Sequence, residues 1–218
     1  MSKTLVLYLA FSIISASKSH AQHDDCKDNY FSTPKRVEKL KPMFAFMDLQ
    51  KGQIIASIGA KNGWFEAAAS IYHDSLTFYL EDIDAECLNK PSVEATIALY
   101  AKIKKQPIHN HFEMVVGTDS TTKLPTQLFD RVLLNNTYHH FSKKVQMLAD
   151  VKRIIKSDGF LYVFEPIILE KQVKSFKCAY YTSEKILISE TEKAGFSFVE
   201  TYKFAEGSLF FKFKNKLD

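Results

Sequence analysis

The sequence predicts an α/β domain of three layers, with helices on both faces of a mostly parallel sheet and an antiparallel hairpin at one edge. Three observations predict it. From residue 53 onward short β-rich runs alternate with helical patterns, which is the pattern of a parallel sheet with crossover helices. The first run ends in a turn bearing Gly59 and Gly63, and α/β folds hold ligands at such a strand-to-helix turn. The chain closes with two β-rich runs around Ala205-Glu206-Gly207, as a hairpin does.

The elements follow in order. Residues 34–47 read as helical pieces interrupted at Pro42. Strand one is placed at 53–58, a helix at 63–72, strand two at 76–81, a helix at 92–105 and strand three at 111–116. Phe129 to Asn136 form strand four, and Ser142 to Ile155 a helix whose apolar residues Val145, Leu148, Ala149, Val151 and Ile154 fall near helical spacing. A Ser157-Asp158-Gly159 turn leads into strand five at 160–164. A helix over 183–194 ends at Gly195, and the runs 196–204 and 208–213 make the hairpin. No repeats or low-complexity segments occur.

Composition bounds the answer. A chain of 218 residues with 46% apolar and 25% charged residues buries one full core and is too short for two ordinary enzyme domains. Residues 1–21 read as a secretory signal: Lys3, an apolar core from Leu5 to Ile14, and small residues at Ser19 and Ala21. Cleavage is expected after Ala21, leaving 22–218 as a single domain in the periplasm or secreted; an uncleaved anchor or a start-site artefact is the competing reading. The apolar run is too short for an ordinary membrane span, so no stable membrane insertion is expected after signal removal. The net charge of +4 includes Lys3 and Lys18, so residues 22–218 carry +2, and no nucleic-acid partner follows. Cys26, Cys87 and Cys178 form neither a metal spacing nor a disulfide framework. One pair can bridge in an oxidising compartment without the sequence saying which, and Cys87 reads more simply as a small core residue.

The stretch from Ile54 to Ile71 carries the functional signal: an apolar run, a turn with two glycines, then a helix-like segment. Such a turn presents backbone N–H groups and a positive helix end to an anionic or nucleotide-like ligand. Asp82 lies 19 positions after Gly63, about the spacing at which a carboxylate ending the second strand reaches the hydroxyls of a ribose. The plainer readings are a tight turn that binds nothing and a helix cap at Asp82, a task open to Asp84 as well.

Four motifs in order, Ile55 to Gly63, Glu81 to Asp84, Phe129 to Phe141 and Ile154 to Val163, make the chain resemble the class I S-adenosylmethionine-dependent methyltransferases over roughly residues 36–213. The resemblance implies a Rossmann-like, mostly parallel seven-stranded sheet, S-adenosylmethionine as cofactor and no metal. It implies a loop comprising Gly59, Ala60 and Gly63 beside the methionine portion, Asp82 on the ribose, and Asp119 or its neighbours near the adenine. Asn135 and Asn136 would line the methyl-transfer mouth, opposite an unidentified small-molecule acceptor. Two positions depart from the family pattern. Members usually carry an acidic residue where Ser57 stands, against the methionine amino group, and a third glycine where Lys61 stands.

The catalytic candidates are Tyr138, His139 and His140. Adjacent histidines do not both face one site at a strand end, so one is expected to pack under the strand-four loop and the other to face the acceptor pocket. A site of two histidines and one carboxylate, with His109 and His111 nearby, is the metal alternative. Tyr138 reads equally as an acceptor-stacking residue and as a core tyrosine. Arg36 reads more simply as part of a solvated helix face than as a residue over the cofactor. The phenylalanines of 196–213 read as β-core. Two other functional readings remain: an exported, degenerate methyltransferase fold acting as a non-catalytic binding or partner protein, and an NAD-type oxidoreductase, which lacks its Gly-x-Gly-x-x-Gly pattern here. Nucleophile-elbow and Walker motifs are missing.

Overall fold

The computed structural model describes Cys26 and residues 30–167 and 182–216. The predicted signal, residues 1–21, and Cys178 lie outside the described residues. Seven strands run β1 Ile54–Ile58, β2 Thr77–Asp82, β3 His111–Val116, β4 Phe129–Asn135, β5 Ile155–Pro166, β6 Phe196–Ala205 and β7 Ser208–Asn215. The sheet order is β3-β2-β1-β4-β5-β7-β6. The first five strands pair in parallel, while β7 pairs antiparallel with both β5 and β6. The order reverses between β1 and β4, and the crevice beyond the carboxyl ends of those strands is where open α/β sheets take ligands.

Alternation along the strands divides the core. Ile55, Phe78, Leu80 and Leu133 pack in one buried cluster with Phe44 of α2 (Lys41–Met47), Phe65 of α3 (Trp64–Ala69) and Val93 of α4 (Lys90–Lys104). Ala56, Ile58, Val132, Leu134 and Val163 pack in the other with Leu148 and Val151 of α5 (Lys144–Ile154) and Leu187 of α6 (Glu184–Lys193). Ser57 and Asp82 therefore fall on the α3 face and Glu81 on the α5 face.

Several elements differ from the sequence reading for identifiable reasons. Pro42 sits in the first turn of α2, where its missing N–H costs nothing; the helical pieces before it are α1 (Pro34–Val37) and a 3₁₀ turn over Glu38–Leu40. Helix α3 has six residues rather than ten, because the chain turns at Ser70, whose hydroxyl donates back to the Glu66 carbonyl at 2.8 Å. Helix α4 starts two residues early, with Asn89 as its N-cap accepting from the Ser92 N–H at 3.0 Å and Pro91 in its first turn. The Ser157-Asp158-Gly159 turn is a bulge inside a longer β5: Phe129 pairs with Ile155 and Arg131 with Phe160, so Lys156–Gly159 fall opposite Asp130. Lys156 Nζ meets Asp130 Oδ1 there at 2.6 Å. Cys87 is more than a small core residue, since it forms a disulfide with Cys26. No helix of the described residues is long and apolar enough to cross a membrane.

Candidate functional site

The turn after β1 is built for close approach. Gly59, Lys61 and Gly63 all adopt left-handed φ, at 72°, 51° and 72°. A Cβ on Gly59 would come within 2.2 Å of Thr137 Oγ1, and one on Gly63 within 2.6 Å of Leu80 Cδ1. The first threads the turn beneath the loop after β4, and the second lays α3 onto β2. Lysine at position 61 holds this conformation against its Cβ, a cost of about 1 kcal/mol.

The expected supply of free loop N–H groups is not what the structure presents. The Ala60 N–H donates to the Glu81 carbonyl at 2.9 Å, and the Gly63 N–H to the Ala60 carbonyl at 2.9 Å. The Lys61 N–H donates to Asp82 Oδ2 at 2.8 Å. The loop is thus clamped to the end of β2. Asp82 also accepts the Asp84 N–H on Oδ1 at 2.9 Å, and each of its oxygens retains a second acceptor position. Neither Asp82 nor Asp84 caps the helix that follows, a task that falls to Asn89; Asp84 Oδ1 accepts the Glu86 N–H at 2.9 Å in the turn before it.

A cavity of about 330 Å³ opens over this turn, bounded by Ser57–Lys61, Trp64–Glu66, Glu81–Ile83, Thr118, Asp119, Asn135–Thr137, His140–Ser142 and Met147. Its volume suits a drug-sized ligand. The structure brings Ser57, Gly59, Ala60, Asp82, Asp119, Asn135, Asn136 and His140 together on its wall. Gly63 lies between wall residues at the head of α3. Asp119 is at the rim, where the Lys143 ammonium 2.8 Å away holds its carboxyl below the ordinary value. Asn136 turns the chain at φ 55°, with its N–H donating to the Phe164 carbonyl at 2.7 Å.

Of the three catalytic candidates only His140 faces the cavity. Tyr138 is fully buried, and its hydroxyl donates to Glu190 of α6. Burial and the Glu190 carboxylate push its pKa far above the ordinary phenol value. Of the two readings of Tyr138, this packing agrees with the core tyrosine and not with the acceptor-stacking one. His139 packs under the loop, its Nδ1 2.6 Å from Glu165 Oε2, with both side chains buried. The His139 and His140 rings lie 3.9 Å apart between centroids. Arg36 stays on the surface, donating to the Tyr30 carbonyl and stacking on the Tyr30 ring.

The residue that sequence reasoning missed is Glu66. It is 2% exposed on the underside of α3, on the cavity wall, next to Ser57. Among the described residues its Oε1 and the Ser57 Oγ, both buried, have no hydrogen-bond partner of normal geometry. Burial raises the Glu66 pKa to about 7, the neighbouring serine offsetting part of the effect. Glu81, with Oε1 likewise unpartnered, is raised to about 8 by burial and by the Asp82 charge. The signal in the sequence was a single carboxylate inside the apolar run Trp64-Phe65-Glu66-Ala67-Ala68-Ala69.

Residues 75–163 match the family model described as a methyltransferase domain. The chain superposes on a S-adenosylmethionine-dependent methyltransferase from Aquifex aeolicus with a TM-score of 0.65 and 16% identity, covering 88% of this chain and 96% of that one. This is a class I S-adenosylmethionine-dependent methyltransferase fold. A putative methyltransferase from Haloferax volcanii, in complex with the Trm112 activator, shares the fold at a TM-score of 0.66 and 14% identity, with 91% and 95% covered. The [4+2]-cyclase SpnF shares it at 0.65 and 12%, with 84% and 82% covered. No curated protein matches by sequence. The Aquifex aeolicus relative is described as dependent on S-adenosylmethionine. The cavity fits it: acidic groups and unpartnered buried acceptors suit a ligand bearing cationic and hydroxyl donors, and the clamped loop N–H groups do not suit a pyrophosphate.

Proposed function

We propose that this chain is an exported enzyme that transfers the methyl group of S-adenosylmethionine to a small nucleophilic acceptor. The observation that carries the proposal is the character of the cavity at the switch point: Glu66, Glu81, Asp82 and Asp119 line it against Lys61. That balance favours a cationic nucleoside over the phosphates of a dinucleotide. When bound, S-adenosylmethionine supplies an electrophilic methyl group on a sulfonium.

The residues divide the remaining work. Asp82 accepts from the ribose hydroxyls with the acceptor positions its backbone bonds leave open. The turn from Gly59 to Gly63, Ala60 included, lies along the methionine portion, and Asp119 borders the adenine. Asn135 and Asn136 frame the mouth and orient the acceptor, which supplies much of the rate by alignment. His140 stands at that mouth as the general base for an acceptor that arrives protonated. The disulfide between Cys26 and Cys87 supports export, because such bonds persist in oxidising compartments.

Calorimetric titration of S-adenosylmethionine and S-adenosylhomocysteine into residues 22–218 tests the reading. Micromolar binding that Asp82→Ala weakens by ten-fold or more, with the fold retained, is expected on the basis of ~1.5–3 kcal/mol for hydrogen bonds to a charged group. Silence of the wild type at millimolar ligand would refute it.

A further inference from the structure

Glu66 is an expensive residue where it stands. A carboxylate nine-tenths or more buried normally has its acceptors filled, yet among the described residues Glu66 Oε1 has no hydrogen-bond partner of normal geometry, its contact with the neighbouring Ser57 hydroxyl included. Both lie on the same face of the sheet, Ser57 on β1 and Glu66 on the helix that covers it, and both line the cavity. The helix position itself needs no acid: the flanking Phe65, Ala67, Ala68 and Ala69 are all buried apolar residues. A chain indifferent to ligand is better served there by alanine or methionine. The two unpartnered oxygens together describe a pole that receives a compact donor carrying positive charge, since such a group donates to both and neutralises the carboxylate.

We propose that Glu66, with Ser57, is the ammonium-binding pole of the cavity, supplying from α3 the negative charge that Ser57 does not bring from β1. The ligand class is an α-amino acid joined to a nucleoside, with its amino group at Glu66 and its ribose at Asp82. The inference rests on the cofactor reading and adds to it the residue that selects the amino-acid end. It also removes the apparent defect at Ser57: the charge has moved one layer, from the strand to the helix, and both residues line the same cavity. Glu81 does not serve this end. Its side chain runs toward Gly117, where a Cβ would come within 1.8 Å of Oε1, so it lies on the opposite face of the sheet from Glu66.

Two probes separate the amino group from everything else: S-adenosylhomocysteine and its deamino analogue, which lacks only that group. The wild type is expected to bind the first more tightly. Glu66→Gln, nearly isosteric, is expected to weaken S-adenosylhomocysteine by roughly 10- to 100-fold, the value of a charge-assisted hydrogen bond, and to leave the analogue unchanged. The double variant Ser57→Asp/Glu66→Gln returns the carboxylate to the strand and is expected to recover most of the lost affinity, which a purely structural role for Glu66 would not allow. Equal affinities of the wild type for the two probes, or parallel losses of both in Glu66→Gln without recovery in the double variant, would overturn the inference while leaving the cofactor reading intact. Failure of the wild type to bind either probe would overturn the cofactor reading, and the inference with it.

Discussion

Gly59→Ala places a methyl group where the structure has no room. The new Cβ would lie 2.2 Å from Thr137 Oγ1, 2.5 Å from its Cγ2 and 2.9 Å from its Cβ. Threonine is β-branched and short, and its hydroxyl is tied to the Asn135 carbonyl at 3.0 Å, so it yields little. Left-handed φ adds about 1 kcal/mol for alanine, and overpacking adds about 1–3 kcal/mol. The sum, about 2–4 kcal/mol, corresponds to a Tm loss on the order of 5–15 °C for a domain of this size. Thermal unfolding followed by circular dichroism measures it, with Thr137→Ala and the double variant closing a cycle. The double variant is expected to recover part of the overpacking and none of the backbone cost, so the two substitutions couple favourably. A Tm within about 1 °C of wild type for Gly59→Ala, or strict additivity in the cycle, would refute the close passage of the turn beneath the β4 loop.

Three further outcomes are expected. Glu66 and Glu81 have folded pKa values of about 7 and about 8 against an ordinary 4.5, so the folded chain keeps protons that the unfolded chain has released. Their contribution to stability is full below about pH 4.5 and is lost as pH rises through 7 and 8; urea midpoints across pH 4–9 should fall, and flatten in Glu66→Gln/Glu81→Gln. Lys61→Gly relieves a left-handed lysine, and should raise stability by roughly 0.5–1 kcal/mol in denaturant unfolding and tighten S-adenosylhomocysteine by removing a cation from the cavity wall. The Cys26–Cys87 bridge closes a separation of 61 residues, which in the chain-entropy treatment stabilises by about 4 kcal/mol; dithiothreitol or Cys87→Ser should lower Tm, and an unchanged Tm would show that the bridge does not stabilise the fold.

Local pattern made most of the fold readable. The alternation of Ile54–Ile58, Thr77–Asp82 and Phe129–Asn135 with helical segments predicts the parallel sheet, because burial on both faces leaves near-continuous apolar runs. The hairpin at 196–215 followed from its Gly207 turn and its phenylalanines. The bulge at Lys156–Gly159 was not readable, since only pairing with β4 shows that those residues stay in the strand. In the site, Asp82 and the glycines were marked by spacing. Glu66 was hidden because helical periodicity assigns a glutamate to solvent unless the covering partner is known. Tyr138 was ambiguous for the complementary reason: its partner Glu190 lies 52 positions away, and only the packing of α6 against the β4 loop takes its hydroxyl out of the site. The Cys26–Cys87 pair needed the same tertiary knowledge.

On the function proposed above, the cavity over the β1 turn is a cofactor site for S-adenosylmethionine. A ¹H–¹⁵N correlation titration of residues 22–218 with S-adenosylhomocysteine tests it residue by residue. Saturable shifts concentrated at the amides of Gly59, Ala60, Gly63, Asp82, Ile83 and Asn136 are predicted. Shifts centred elsewhere on the molecule, or none at millimolar ligand, would contradict it.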